Sequence, residues 1–213
     1  AANVARNLTA LNVRAELFGA VGQDAAAAQL QRLLREQRIG CHGLLSCRAR
    51  PTSVKTRIVA HTQQVVRIDR ESRDGLSPRL TRRLLEALQA RLPRAAAVIV
   101  CDYGKGVVTQ PLLDQLRALC RARGVWLSLD PKPVHRLNLA GLSLLTPNRK
   151  EAFELAGLPD ETRNANPLAD ANLLRAAERL LELVARRLRL REQRRRLRLE
   201  LRAARRDHRV FRK

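Results

Sequence analysis

Ala95-Ala96-Ala97-Val98-Ile99-Val100-Cys101, followed at once by Asp102-Tyr103-Gly104-Lys105-Gly106, is a wholly apolar run that ends in polar, glycine-punctuated residues. An apolar run without alternation suits a short strand covered on both faces. Downstream, a helical stretch from about Gln110 to Arg123 is closed by Gly124. A second run, Val125 to Leu129, ends at Asp130-Pro131-Lys132, and a third, Leu142 to Leu145, ends at Thr146-Pro147-Asn148 and leads into a helix through Leu155. Such runs, two of them linked by a helix, describe βαβ units of a parallel sheet buried on both faces. Ligands of open α/β sheets gather at the carboxyl ends of the strands. Asp102, Asp130, Lys132 and Asn148 fall there, so patterning alone predicts a crevice lined by these side chains.

Upstream, Val4, Leu8 and Leu11 mark one face of a short helix. A strand-like stretch from Ala15 to Val21 follows, punctuated by Gly22. Asp24 reads as the N-cap of a helix to Gln37 with Leu30, Leu33 and Leu34 inward, and Gly40 as its stop. The segments 53–59 and 64–69 approach strict alternation, with Val54, Ile58, Val66 and Ile68 in the apolar places, which predicts two half-buried strands in a hairpin. The outward face of that hairpin carries Lys55, Arg57, Arg67 and Asp69, either as a plain solvated surface or as a polar ligand surface. Ser77-Pro78 opens a helix over Leu80 to Leu92. Ala169 to Val184 reads as another, with Leu173, Leu174, Ala177, Leu180, Leu181 and Val184 on one side.

The chain has 213 residues, 45% of them hydrophobic, enough for one domain with a proper core. No apolar stretch approaches the roughly 20 residues of a membrane span, and no signal peptide is visible, so a cytoplasmic protein is expected. Cys41, Cys47, Cys101 and Cys120 form no C-x-x-C pair and no zinc spacing with His42. They read as reduced thiols, with Cys101 and Cys120 in the core. The sequence contains no Met, which suggests a true start further upstream, although removal of an initiator gives the same appearance.

The strand-end residues suit phosphoryl transfer, which needs cations for phosphate oxygens, oxygen ligands for Mg²⁺ and an acid–base group at the attacking hydroxyl. Lys132 and Lys105 supply charge, Asn148 and Glu151 are candidates for water-coordinated Mg²⁺, and Asp102 or Asp130 for orienting sugar hydroxyls. Taken singly, Asp-Pro-Lys and Pro-Asn are ordinary strand-to-loop turn chemistry. Four polar residues on successive strand ends favour a site.

A series of ordered motifs makes this more specific. Asn3-Val4-Ala5-Arg6-Asn7 and Gly19-Ala20-Val21-Gly22-Gln23-Asp24 open it. Pro51-Thr52-Ser53-Val54-Lys55-Thr56-Arg57, Gln63-Gln64 and Arg67-Ile68-Asp69-Arg70-Glu71 follow. Asp102-Tyr103-Gly104-Lys105-Gly106, Asp130-Pro131-Lys132 and Thr146-Pro147-Asn148-Arg149-Lys150-Glu151 complete it. Over about residues 1–185 the chain resembles the ribokinase-like (PfkB) sugar kinases, and among them the kinase half of the bacterial heptose-phosphate kinase/adenylyltransferases of lipopolysaccharide precursor synthesis.

The resemblance implies an incomplete three-layer α/β/α sandwich with a small β lid at about 51–71. It implies phosphorylation of a heptose 7-phosphate at its anomeric hydroxyl by ATP with Mg²⁺. Asn3 would contact the sugar. Lys55, Arg57, Gln64, Arg67 and Asp69 would form the lid over the sugar phosphate, often shared across a homodimer. Asp102 and Lys132 would line the floor between donor and acceptor, and Asn148 and Glu151 would match the Asn-x-x-Glu element that organises Mg²⁺ and phosphates. Ribose, fructose or a nucleoside as acceptor is the alternative within the class.

Two departures bear on loop geometry: Ala27 and Pro133 stand where the family has glycine. The Gly-Ala-Gly-Asp segment that supplies the family's catalytic base and its backbone anion hole is absent, so little or no activity is expected of this chain. Of the formal charge of +22, half lies in Arg186 to Lys213, where fourteen Lys and Arg face three acids. That stretch reads as a nucleic-acid-binding basic helix, a membrane-surface helix or the product of a shifted reading frame, the last being the favoured expectation. Whatever its origin, its charge predicts nonspecific binding of RNA or DNA.

Overall fold

The computed structural model describes residues 1–185; the Arg- and Leu-rich stretch from 186 on, with the expectations attached to it, lies outside them. The chain divides into two compact units. One is Ala1–His135 with Leu144–Thr146, the other Arg136–Ser143 with the described residues from Pro147 on.

In the first unit, α1 (Ala2–Ala10) precedes β1 (Glu16–Val21), α2 (Ala25–Glu36) and β2 (Gly40–Ser46), with β1 and β2 paired in parallel. Ala5, Leu34 and Ile39 are buried at the centre of a cluster that includes Leu17, Leu30 and Leu44. Leu33, expected inward, is exposed, because the apolar stripe runs along Leu30 and Leu34. Nor does Gly40 stop α2. The helix ends on Gln37, Arg38 takes the left-handed turn with φ 55°, and Gly40 opens β2, a strand the sequence reading missed.

The hairpin forms as expected from β3 (Val54–Ala60) and β4 (Gln63–Arg70), turning at His61 with φ 53°. Lys55 pairs across to Asp69, Arg57 to Arg67 and Ile58 to Val66, so the polar and apolar faces are those expected. The half-burial is not observed: Ile58, Val66 and Ile68 are all exposed.

Ser77 caps α3 (Pro78–Arg91) by accepting from the Leu80 N–H, and Thr109 caps α4 (Gln110–Ala122) likewise from Leu112. A parallel sheet in the order β5 (Ala97–Cys101), β6 (Trp126–Asp130), β7 (Leu144–Leu145) follows. Leu127 and Leu129 are buried and α4 packs on β6, while α3 packs on β1, β2 and α4. The other face of this sheet is open, against expectation: Ile99, Trp126 and Leu144 are 45%, 62% and 51% exposed. Cys120 is buried, and burial pushes its thiol up to about 11; Cys101, also expected in the core, is only partly covered. All four cysteines are unpaired.

The second unit holds α5 (Arg149–Ala156) and α6 (171–185). Phe153, Ala176 and Leu180 are buried. The inward stripe of α6 passes through Ala176 rather than Ala177, and Leu174 and Leu181 are exposed. Among the described residues no helix is long and apolar enough to cross a membrane.

Candidate active site

In the first unit the site begins with β5. Asp102, one residue past the strand, is 4% exposed and anchored by its backbone N–H, which donates to the Asp130 carbonyl at 2.9 Å. Its Oδ1 accepts from the Gly104 N–H at 2.8 Å, while its Oδ2 is buried with no hydrogen-bond partner. A buried carboxylate oxygen left unpaired costs free energy, of order 1–3 kcal/mol. Glu16 Oε1 and Glu71 Oε2 are also buried without a hydrogen bond, but they lie 3.6 Å from the His42 imidazole and 3.8 Å from the Lys55 ammonium, whereas Asp102 Oδ2 is an acceptor held ready for a donor.

The Asp102–Gly106 loop is bolted to the exit of the hairpin. Arg50, buried, donates to the Lys105 carbonyl at 2.6 Å and the Ser72 carbonyl at 3.3 Å. The Leu76 N–H donates to the Gly106 carbonyl at 3.1 Å, and the Lys105 ammonium bonds the Glu71 carboxylate. From Glu71 a ladder of charges runs up the polar face of the hairpin. Lys55 lies 3.8 Å from Glu71 and 3.0 Å from Asp69, and Arg67 lies 3.0 Å from Asp69. Arg73 adds a further cation at 3.5 Å from Glu71. Lys105 holds the Glu71 carboxyl below its usual range, and Lys55 does the same for Asp69, with Arg67 adding to it. Lys55, Arg67, Arg73 and Lys105 therefore surround two carboxylates, an excess of positive charge. Arg57, directly across from Arg67, has no acid opposite it. Like charges facing across a hairpin are unfavourable unless an anion joins them.

Of the other expected residues, Asn3 is exposed on α1 and Lys132 is exposed after β6. Gln64 pairs with Val59 near the hairpin turn. Sequence reasoning missed Glu71, Arg50 and Asp24 as organisers. Asp24 Oδ1 accepts from the Ala27 N–H, and Oδ2 from the Thr52 N–H and the Arg70 guanidinium, at 2.9, 2.9 and 3.0 Å. One carboxylate thus caps α2 and fastens both ends of the hairpin. Gly22 donates to Thr52 Oγ1 at 2.9 Å, and a Cβ there would stand 2.7 Å from the Asp24 carboxylate. The signal was present in the Gly-x-Asp spacing, but it read only as a cap.

Hydrogen bonding from Thr52, then Ala27, with the charge of Arg70, holds the Asp24 carboxyl at about 2, below its ordinary 3.8. A depressed carboxyl pKa stabilises the fold above the unfolded value, and that stabilisation is lost as pH falls from about 4 through 2. Asp24→Asn should therefore flatten the acid limb of a thermal-midpoint against pH curve between about pH 4 and 2. A variant with the parent's acid limb would refute this role.

In the second unit, Asn148 and Glu151 close a capping box on α5. Asn148 Oδ1 accepts from the Glu151 N–H and Glu151 Oε2 from the Asn148 N–H, both at 3.0 Å. Among the described residues no three of His, Cys, Asp and Glu gather as a metal-ligand group. Two oxygen donors at a helix N-terminus fit a Mg²⁺ that keeps its waters and leans on phosphate oxygens, rather than one caged by protein.

The fold is ribokinase-like. Arabidopsis thaliana ribokinase complexed with ribose and ATP superposes with a TM-score of 0.64 at 17% identity, covering 86% of this chain and 56% of that one. The tetrameric inhibited form of Escherichia coli phosphofructokinase-2 gives 0.61 at 19%, covering 85% and 57%. The chain belongs to the pfkB family of carbohydrate kinases, which it matches over residues 1–184. Its curated relatives include the bifunctional protein HldE of Geobacter sulfurreducens, 40% identical over 182 residues, and that of Desulfatibacillum aliphaticivorans, 36% identical over 183. These matches cover 85% and 86% of this chain but 36% of each relative, so the chain spans about a third of their length.

Proposed function

We propose that this chain carries the acceptor side of an ATP-dependent sugar kinase whose substrate is D-glycero-D-manno-heptose 7-phosphate. The observation that carries the reading is Asp102, whose buried Oδ2 lacks a donor beside a loop tied to the cationic hairpin. Asp102 would accept from a sugar hydroxyl. Lys55, Arg57 and Arg67 would take the 7-phosphate, Gln64 would add a hydrogen bond, and Asn3 would contact the sugar ring. The excess of cations over acids on the hairpin supports a phosphorylated acceptor over free ribose, fructose or a nucleoside. The identity to proteins named HldE supports the heptose.

Asn148 and Glu151 would hold Mg²⁺, which would supply charge to the ATP phosphates, and Lys132 would offer a cation to phosphate. In the reaction the anomeric oxygen attacks the γ-phosphorus, the bond to the β-phosphate oxygen breaks, and the hydroxyl proton needs an acceptor. The sequence offers no Gly-Ala-Gly-Asp segment for that role, so binding should outlast catalysis. The exposed Ile58, Val66 and Ile68 favour pairing of two hairpins in a homodimer. A monomer in sedimentation at high protein concentration would count against it. Nonspecific nucleic-acid binding by 186–213 is a separate charge effect, removed by truncation after Val184 with sugar-phosphate binding retained.

Calorimetry with the heptose 7-phosphate, and ³¹P NMR of a mixture with ATP and Mg²⁺, test the reading. Binding with weak or no transfer is expected. Absence of sugar-phosphate binding, or preference for a non-phosphorylated sugar, would overturn the acceptor assignment, and robust turnover would overturn the account of the missing base.

A further inference from the structure

Arg149 occupies the first position of α5, where the helix dipole presents its positive end, so a cation there is unfavourable by itself. The helix has only eight residues, too few for an isolated helix to hold its own geometry. Its orientation must come from tertiary ties, and Arg149 makes them. Nε donates to Asp160 at 2.9 Å, Nη2 reaches the same carboxylate at 2.7 Å, and Nη1 donates to Asp170 at 2.9 Å. Nη2 also donates to the Thr162 carbonyl, and the guanidinium lies 5.0 Å from the centroid of the Phe153 ring. Asp170 is 2% exposed and accepts from the Leu173 N–H at 3.2 Å in the first turn of α6. Asp160 is further bound by Arg163 at 2.6 Å. One side chain thus joins the first turn of α5, the 157–170 connection and the start of α6.

We propose that Arg149 is a positioning residue for nucleotide binding: locked to Asp160 and Asp170, it fixes the direction in which Asn148 and Glu151 present their oxygens to Mg²⁺-bound phosphates. This rests on the role given above to Asn148 and Glu151. An arginine at a helix N-terminus invites assignment as a phosphate ligand, but here its donors are committed to two carboxylates and a carbonyl. It acts through its neighbours.

The test is a two-dimensional NMR titration of the full chain with Mg·ATP, which registers millimolar binding, beside calorimetry with the heptose 7-phosphate. Arg149→Met should weaken Mg·ATP by about tenfold or more, the usual size of outer-layer effects on metal and phosphate sites. It should leave sugar-phosphate affinity within about twofold, a separation that general destabilisation does not produce. Arg149→Lys, which cannot reproduce the forked contacts, should recover only part of the loss. Asp160→Asn should weaken Mg·ATP in the same direction.

Unchanged Mg·ATP affinity in Arg149→Met overturns the proposal, as does equal loss of both ligands. Tighter Mg·ATP binding by Asp160→Asn overturns it too, because it would mean that the acid masks a phosphate-binding arginine. A parent chain that binds Mg·ATP but no sugar phosphate, with the loss in Arg149→Met intact, would sink the acceptor reading and leave this inference standing. A parent that binds only the sugar phosphate would do the reverse.

Discussion

Gly106→Ala is expected to lower the stability of the chain by about 2–5 kcal/mol, a large part of the total for a domain of this size. Two effects add. Gly106 has φ +71°, a left-handed conformation that costs an alanine about 1–2 kcal/mol. An added Cβ would also lie 1.8 Å from the carbonyl oxygen of Asp74 and 2.8 Å from that of Arg73. Both neighbours are backbone, so no side chain can swing aside, and such overpacking costs a further 1–3 kcal/mol or so. Gly124→Ala separates the two effects: φ there is +65° but nothing lies within 4 Å of the added Cβ. Urea unfolding of both variants measures the difference. A Gly106 variant no worse than the Gly124 variant would show that the 102–106 loop is not clasped to the hairpin exit. Because that loop carries Asp102 and Lys105, loss of the clasp should also weaken sugar-phosphate binding.

The clasp also shows where sequence stops informing. The caps Asp24 and Ser77 were legible because they are local, each bonding a backbone N–H three residues on, while Thr109 and Asn148 cap their helices in the same way without having been read as caps. The runs around Val98, Leu127 and Leu145 were legible as parallel strands because unbroken apolar content has few other uses. The segment 40–46 carries two glycines and a histidine and shows no strand period. It is a strand because β1 pairs with it, and Gly43 is needed where a Cβ would stand 2.1 Å from the Phe18 ring. That requirement belongs to the packed state. Lys105 meets Glu71 across 34 residues, and Arg50 meets the Lys105 carbonyl across 55. The Arg149 ties span 11 and 21 residues. Charged residues at such separations read only as surface until the fold brings them together. The polar face of the hairpin, Asp69 included, was found from alternation, and Glu71, which ties that face to Lys105, was not.

Asp102→Asn is expected to separate stability from function. The substitution keeps an oxygen to accept from the Gly104 N–H and removes the charge whose other oxygen is buried without a donor. Its stability should therefore lie within about 1 kcal/mol of the parent or above it, since an unsatisfied buried carboxylate is a liability to the empty fold. Sugar-phosphate affinity should fall by about tenfold to a hundredfold, the size expected when a hydrogen bond to a charged acceptor becomes one to a neutral amide. Urea unfolding and calorimetry on the same preparation read both effects. Destabilisation by several kcal/mol with affinity unchanged would mean that Asp102 serves only to anchor the turn after β5. A carboxylate kept buried and incomplete at a cost to the resting fold has a physical explanation if a ligand hydroxyl supplies the missing donor, as at other sites where stability yields to binding. The hairpin is clasped to the same loop by Glu71 and Lys105, with Lys55 3.8 Å from Glu71, and a loop that offers an acceptor while tied to a cationic hairpin suits a ligand carrying both a hydroxyl to donate and a phosphate to hold.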